Sequence, residues 1–362
     1  MGDLYLSPQH YRQQGGILNE AGTACKEFGR RPLVLGDAVV LAMIRPALEA
    51  QFAAAGLSPS FILFGEECCK EEISRVENIA RRQDLDFLVG TGGGKAIDTS
   101  RMVAARLGCP FVTIPTSAAT CSAASAAAVL YDKGARQATV NGKGADLVLV
   151  DMEILARAPS RLLAAGMADA LAKWYEGKPV YDRNPERSGP VRAALELSRQ
   201  VKETILEQGL QAKRDVEAKK NSPAVETVVE ANILLTALIS GLGGVNFRVS
   251  VAHGLCYGLS GFPQAHQTLH GEWIAWGIIV QLCLEKKEEE LNQLLPFFFR
   301  LDLPLKSKKL DLGNKEDPLL WAGLKRTCAP GGSAHNMPFP VDEKKLYQAM
   351  QEADERVEAF TN

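Results

Sequence analysis

The first 150 residues alternate short apolar runs with longer segments whose apolar positions recur at helical spacing. Five runs predict strands: PLVLGD (32–37), SFILFG (60–65), DFLVG (86–90), PFVTIP (110–115) and ADLVLVD (145–151). Three segments between them predict helices: 39–56, 71–84 and 95–108. The run 126–140 predicts a hairpin about Asp132–Gly134. Because strands separated by helices form βαβ units, the pattern predicts an α/β, Rossmann-like domain with a mostly parallel sheet.

From Ser160 onward the apolar positions keep helical spacing and strand-like runs disappear. Five segments predict helices: 160–176, 191–210, 224–243, 271–285 and 343–360. Ser160 and Ser222 are predicted N-caps, with Pro223 at the first position of its helix. Residues 178–190 and 330–340 are predicted loops. The pattern therefore predicts an α/β domain (1–157) followed by an all-helical domain (158–362).

Composition is that of an ordinary globular protein. The chain has 362 residues, of which 46% are apolar and 23% charged, and a formal net charge of −2. Neither a basic block nor a long apolar run stands out, so we expect no nucleic-acid partner and no membrane association. The N-terminus lacks the pattern of a signal peptide, and the eight scattered cysteines suit a reducing compartment. These features predict a cytoplasmic protein.

Three consecutive glycines, Gly92–Gly94, follow the third predicted strand and precede a helix. Glycine lets backbone N–H groups approach a phosphate, and a helix N-terminus favours an anion. The run does not match G-x-G-x-x-G, because Lys95 holds the last position, and Ala96 rules out the phosphate loop of nucleoside triphosphatases. A phosphorylated cofactor is predicted here; the alternative is a merely tight turn.

Three of the five histidines fall within 18 residues: His253, His266 and His270. Imidazoles are common ligands of catalytic metals. His266 and His270 are spaced to share a helix face, but Gln267 replaces the carboxylate of H-E-x-x-H, which argues against a metalloprotease. Spacing alone leaves two alternatives, a metal site or buried structural histidines.

Five motifs resemble, in the same order, those of the metal-dependent (iron-containing type) alcohol dehydrogenases: GTGGGKAIDTSR, PTSAATCSAAS, GMADALAKWYE, VAHGLCYGL and HGEWIAWG. The resemblance runs from about residue 30 to 285. It is strongest to the glycerol dehydrogenase branch, and within it to the hydroxycarboxylate dehydrogenase subgroup. It implies a Rossmann-like domain, a helical domain, an active site in the cleft between them, and a homo-oligomer.

The same resemblance implies roles for single residues. The metal ligands would be Asp169, His253 and His270, with His266 beside the site as a candidate proton donor. Zn²⁺ is favoured over Fe²⁺. Three groups of residues would bind NAD. The acid at the end of the first strand is Asp37, and the pyrophosphate loop includes Gly93, Gly94, Lys95 and Asp98. The nicotinamide side includes Thr116, Ala119, Ser125, Ala127 and Tyr131. A carboxylate at Asp37 would repel a 2′-phosphate and favour NAD over NADP.

Two departures from glycerol dehydrogenases affect the expected substrate. Cys121 stands where those enzymes have an aspartate, and Arg248 stands where they have a small residue. Losing an acid and gaining a guanidinium suits a carboxylate, which arginine binds through two parallel hydrogen bonds. The alternative for Arg248 is a salt bridge. The sequence thus predicts a metal-dependent oxidoreductase acting on NAD(H) and a small 2-oxo acid or 2-hydroxy acid.

Three alternatives to that activity remain. The nearest is oxidation of glycerol or another vicinal diol. A carbon–oxygen lyase related to dehydroquinate synthase would share the two-domain plan and NAD but accumulate no NADH. A non-catalytic protein would bind NAD or metal without turnover.

Overall fold

The chain is described by a computed structural model that covers residues 6–184, 187–244, 247, 249–262, 267–313 and 315–361. Eight strands are found in these ranges: β1 (His10–Gln14), β2 (Pro32–Gly36), β3 (Ser60–Leu63), β4 (Phe87–Gly92), β5 (Phe111–Pro115), β6 (Ala127–Asp132), β7 (Ala135–Asn141) and β8 (Leu147–Asp151). Six of them form a parallel sheet in the order β1-β8-β5-β4-β2-β3, and β6 and β7 form the expected antiparallel hairpin.

Helices cover both faces of the sheet. The first part of the chain contains α1 (Ala21–Cys25), α2 (Ala38–Ala54), α3 (Lys70–Arg82), α4 (Gly94–Leu107) and α5 (Met152–Leu155). Successive residues of β2 point to opposite faces: Leu33 and Leu35 join the core on the α3 and α4 side, and Val34 joins the core beneath α2. Burial on both faces explains why the strands read as continuous apolar runs. The Rossmann-like parallel sheet predicted from the sequence is confirmed.

After β8 and α5, the described elements are all helices. They are α6 (Ser160–Arg183), α7 (Gly189–Glu217), α8 (Pro223–Glu230), α9 (Thr236–Gly243), α10 (Val251–Gly258), α11 (His270–Glu285), α12 (Glu288–Arg300), α13 (Pro318–Cys328) and α14 (Glu343–Thr361). The wide turn Ala231–Leu235 joins α8 to α9 without a break. Helix α11 lies at the centre, packed against α6, α10 and α14.

The predicted N-caps and the predicted loop at 178–190 are only partly confirmed. Ser222 caps α8 as predicted, since its side chain accepts from the Val225 N–H. Ser160 was expected to be an N-cap, but it is the first helical residue of α6, after Pro159. The loop predicted for 178–190 is also wrong in its first half, because α6 continues to Arg183. Pro179 is buried inside that last stretch, so packing outweighs its missing N–H.

One stretch, Pro223–Gly243, is long and apolar enough to cross a membrane by length and composition alone. It is not an uninterrupted apolar run, because it contains Glu226 and Glu230. A core helix can have the same length and composition, and half of the most apolar part of this stretch is buried inside the fold. Packing of this stretch against α7 accounts for its apolar character.

Candidate active site

The carboxyl ends of three neighbouring strands bring the predicted cofactor residues together. Asp37 follows β2, Gly93 follows β4 and Thr116 follows β5, and these strands are adjacent in the sheet. Gly92 has φ +101°, a conformation that favours glycine. The Asp37 carboxylate caps α2 through one oxygen, which accepts from the Val40 N–H at 2.8 Å. Its other oxygen lies 3.6 Å from the place a Cβ on Gly92 would take.

The N-terminus of α4 is open for an anion. Gly93 is its N-cap and supplies no capping side chain. The first intrahelical bond is donated by the Ile97 N–H to the Gly93 carbonyl, so the N–H groups of Gly94, Lys95 and Ala96 have no partner within the helix. A Cβ on Gly93 would meet nothing within 4 Å. This arrangement suits a pyrophosphate at the helix end.

The Asp98 carboxylate forms hydrogen bonds within the protein. Its oxygens accept from the Arg101 guanidinium, from the Ser122 hydroxyl at 2.6 Å and from the Val129 N–H at 2.9 Å. The carboxylate therefore fastens the segment after β5 to α4. The remaining candidates for the nicotinamide side lie on that same half-buried segment: Thr116, Ala119, Ser125, Ala127 and Tyr131. Their contacts with a cofactor stay predictions.

Asp169, His253 and His270 converge from three helices, α6, α10 and α11. The Asp169 Oδ1 atom lies 3.4 Å from His253 Nε2 and 3.5 Å from His270 Nε2. One ligand atom from each of the three lies within 4.8 Å of the others. Two ligands of a tetrahedral zinc ion, with bonds of 2.0–2.1 Å, are separated by about 3.3 Å. The spacing fits three ligands of one divalent ion.

The chemistry of the donors supports the same assignment. Asp169 Oδ1 is buried and has no hydrogen-bond partner among the described groups, a costly state for a carboxylate oxygen unless a cation binds it. Burial by itself would raise the pKa of Asp169, but the neighbouring imidazoles hold it well below its usual range. An ionised carboxylate and two imidazoles form a ligand set suited to Zn²⁺ or Fe²⁺.

Glu176 fixes the position of His253. Its carboxylate accepts from His253 Nδ1 and, at 2.9 and 2.7 Å, from the backbone N–H groups of His253 and Ser250. Gln281 accepts from the Ser250 hydroxyl at 2.9 Å. These buried groups satisfy the N-terminus of α10, and the pair with Nδ1 aims Nε2 at the site. Burial would raise the pKa of Glu176, but His253 holds it below its usual value.

The start of α11 places His270. Glu272 accepts from the Arg161 guanidinium at the start of α6, which ties the two helices together. Gly271 allows the close approach, because a Cβ there would lie 1.8 Å from the Ala165 carbonyl oxygen. The sequence therefore needs a glycine directly after this histidine.

Tyr257 packs beside both histidines of the candidate metal site. Its ring centre lies 5.6 Å from that of His253, edge-on, and 6.4 Å from that of His270, nearly parallel. The Arg136 guanidinium of β7 lies over the Tyr257 ring, with Cζ 3.6 Å from its centre. The β6–β7 hairpin, in the first part of the chain, thus contacts the helices in the second part that carry the candidate metal site.

Cys121 lies on the sheet side of the cleft, within electrostatic range of Asp169 and Lys173. Burial raises the pKa of its thiol to about 11, so the side chain is neutral at physiological pH. Lys173 is one turn beyond Asp169 on the same face of α6 and is half-buried. Burial lowers its pKa, but nearby acidic groups raise it overall, so it remains an ammonium.

Two predicted site residues, Arg248 and His266, lie outside the described residues. Sequence reasoning also missed contributors. Lys173 and Glu176 lie in the motif GMADALAKWYE, four and seven residues after Asp169. This spacing, which places them on the same helix face as Asp169, was the available signal that they belong to the site. Tyr257 follows His253 by four residues in the same way. No sequence signal placed Arg136 near them.

A parallel nucleotide-binding sheet joined to a helical part with a His₂Asp cluster defines a metal-dependent dehydrogenase of two-part design. The family model described as iron-containing alcohol dehydrogenase matches residues 8–152. A glycerol dehydrogenase of Escherichia coli O6:H1 is 34% identical, with 99% of each chain covered. The chain belongs to the iron-containing alcohol dehydrogenase family and is an oxidoreductase of that family.

Two further comparisons agree. A crystal structure of a probable glycerol dehydrogenase from Sinorhizobium meliloti 1021 matches with a TM-score of 0.89 and 30% identity, covering 99% of this chain and all of that one. Hydroxycarboxylate dehydrogenase A of Escherichia coli K12 is 31% identical, covering 83% of this chain and 82% of the relative. The likeness extends beyond the nucleotide-binding part, so it includes the metal-site helices.

Proposed function

We propose that the chain transfers hydride between NAD(H) and a small 2-oxo acid or 2-hydroxy acid, with a divalent metal. The observation that carries this proposal is the neutral thiol of Cys121, which lies within electrostatic range of Lys173 and Asp169. An aspartate at this position, as in the glycerol dehydrogenases that the chain resembles, would repel a carboxylate. A neutral thiol does not.

The reaction balances with one hydride and one proton. NADH gives a hydride to C2 of the 2-oxo acid, the carbonyl oxygen takes a proton, and NAD⁺ and the 2-hydroxy acid leave. When bound by Asp169, His253 and His270, the metal would polarise the carbonyl as a Lewis acid. The α4 N-terminus would hold the pyrophosphate and so position the nicotinamide. The proton would come from His266 or from a chain of water molecules at the metal.

NAD is the proposed cofactor because of Asp37. One of its oxygens is used by the cap of α2, and the second faces the Gly92 turn, where it can accept from a ribose hydroxyl. Zn²⁺ is the proposed ion, with Fe²⁺ as the alternative, since the ligand types suit both. A division near residue 157, a homo-oligomer and a cytoplasmic location are further proposals.

Glycerol oxidation is the second candidate. It is favoured by the glycerol dehydrogenase relatives, one of which covers 99% of this chain, against 83% for hydroxycarboxylate dehydrogenase A. The two proposals differ in what they require at position 121. A diol gains from an acid that accepts its hydroxyl groups, whereas a carboxylate is repelled by one.

The test compares the wild type with Cys121→Asp, using Cys121→Ser as the neutral control. NADH absorbance is followed with pyruvate and 2-oxobutanoate, and with glycerol and NAD⁺, after loading with Zn²⁺. We expect 2-oxo acid reduction by the wild type and the serine variant, and its loss in the aspartate variant. Glycerol oxidation by the wild type without 2-oxo acid reduction would overturn the proposal. Cofactor binding without any turnover, or turnover without net NADH, would indicate the non-catalytic or lyase alternative.

A further inference from the structure

Arg136 reaches from the parallel-sheet part of the chain to the helices that carry the candidate metal site. Arg136 lies on β7, opposite Tyr131 in the hairpin register. The hairpin is fixed to the first part by two backbone donors: the Tyr131 N–H binds the Cys68 carbonyl at 2.9 Å, and the Gly134 N–H binds the Glu67 carboxylate at 2.9 Å. The guanidinium nevertheless lies against a ring on α10. It therefore spans the cleft where substrate and nicotinamide would meet.

With Cζ 3.6 Å from the ring centre, the guanidinium is close enough to Tyr257 to stack on the ring. Stacking leaves the N–H groups, which lie in the guanidinium plane, free to donate. One Nη atom donates to the Thr139 hydroxyl at 2.9 Å. Nε is buried and has no hydrogen-bond partner among the described groups. Among the residues that the structure describes, no carboxylate forms an ion pair with Arg136. The side chain is thus a half-buried cation with unused donors.

The surroundings indicate which group would use those donors. The Tyr257 ring centre lies 5.6 and 6.4 Å from those of the two proposed histidine ligands, and Tyr131, across the hairpin from Arg136, is on the predicted nicotinamide side. An anion bound at Arg136 would therefore lie beside the metal site. A carboxylate suits a guanidinium edge, because its two oxygens match two parallel N–H groups. Stacking on Tyr257 would keep that edge in place.

We propose that Arg136 is a specificity-determining residue that binds the substrate carboxylate from across the cleft. The proposal rests on the proposed function and names the group that recognises its substrate. It also gives the hairpin a role, since the nucleotide-binding part would supply one contact to a substrate held by the helical part. Arg248 is not needed for this contact.

The test uses two substrates of matched size, pyruvate and the uncharged hydroxyacetone, with the Zn²⁺-loaded full chain. Arg136→Gln should lower kcat/KM for pyruvate by about 30-fold or more, the low end for truncating one partner of a close charge pair. It should change kcat/KM for hydroxyacetone by less than about threefold and leave the Kd of NADH unchanged. Arg136→Lys, which keeps the charge but not the planar fork, should fall between.

Lys133→Gln is the control, because it removes an exposed cation from the same hairpin without touching Tyr257. Its kcat/KM for pyruvate should stay near that of the wild type. Equal losses of Arg136→Gln with both substrates would overturn the proposal and show that Arg136 only joins the two parts. A weaker NADH affinity would overturn it in favour of a cofactor contact. If the wild type reduces no 2-oxo acid, the proposed function fails first, which is visible before any variant is made.

Discussion

Glu176 holds His253 by its side chain and by its backbone at once. The two residues lie on different helices, α6 and α10, yet one carboxylate accepts from the ring Nδ1 and from the N–H of the same histidine. A carboxylate behind an imidazole fixes the ring orientation and makes the other nitrogen a better metal ligand. Because Asp169 is on the same helix as Glu176, α6 carries both a proposed ligand and the support of a second proposed ligand.

Removing that support should weaken metal binding without unfolding the chain. Glu176→Gln keeps an acceptor for the Ser250 N–H but loses the charge opposite Nδ1. We expect metal affinity to fall about 10- to 100-fold, measured by competition with a chelator. Glu207→Gln, at an exposed position of α7, removes the same charge elsewhere and is the control for changed net charge. Unchanged affinity in Glu176→Gln would mean that Glu176 only caps α10.

The three proposed ligands should act as a set. Asp169→Asn, His253→Ala and His270→Ala should each lose most bound metal and most activity, while NAD binding by the parallel-sheet part survives. Elemental analysis and a fluorescence titration with NADH measure the two effects separately. His335→Ala, an exposed histidine that is not part of the cluster, should retain both. Full metal content in all three ligand variants would place the ion elsewhere.

Cofactor choice should depend on the charge of Asp37. Asp37→Asn keeps an N-cap for α2, because asparagine is as good a cap as aspartate, but removes the repulsion of a 2′-phosphate. We expect the preference for NAD over NADP, as a ratio of kcat/KM, to fall about tenfold, or about 1.4 kcal/mol. The thermal midpoint should stay constant. A wild type that already prefers NADP would contradict this role.

The phosphate loop can be tested apart from the fold. At Gly93 a Cβ would meet no atom within 4 Å and φ is −85°, so Gly93→Ala should leave the thermal midpoint unchanged. The same methyl should obstruct a pyrophosphate that approaches the α4 N–H groups, and we expect NAD⁺ to bind about tenfold more weakly. Gly189→Ala, also in open space, is the matched control. Equal NAD⁺ affinity in both variants would move the pyrophosphate away from this loop.

Much of the parallel sheet could be predicted because its strands are buried on both faces and therefore read as apolar runs. β1 could not, because its sequence HYRQQ is polar and it pairs only at the sheet edge, with β8. α10 was missed because it has only eight residues, and its start is capped by side chains from other helices. Spacing left two alternatives open for the histidines, a metal site or a structural role.

Contacts between distant segments were beyond the sequence patterns. On a helix, Glu176 looks like any charged residue, and only the fold shows that it faces His253. Arg136 looks like a solvated hairpin charge, and its position over Tyr257 depends on how the two parts of the chain pack together. Such contacts join residues more than 70 positions apart, and local periodicity carries no information about them.

Hydride transfer to a 2-oxo acid can be observed directly by its isotope. The Zn²⁺-loaded enzyme is incubated with pyruvate and NADH deuterated at the transferred position of C4, and the product is analysed by NMR. We expect 2-hydroxypropanoate with deuterium at C2, and none after the metal is removed by a chelator or in the His270→Ala variant. If no deuterated hydroxy acid forms while the same preparation oxidises glycerol with NAD⁺, the proposed substrate class is wrong.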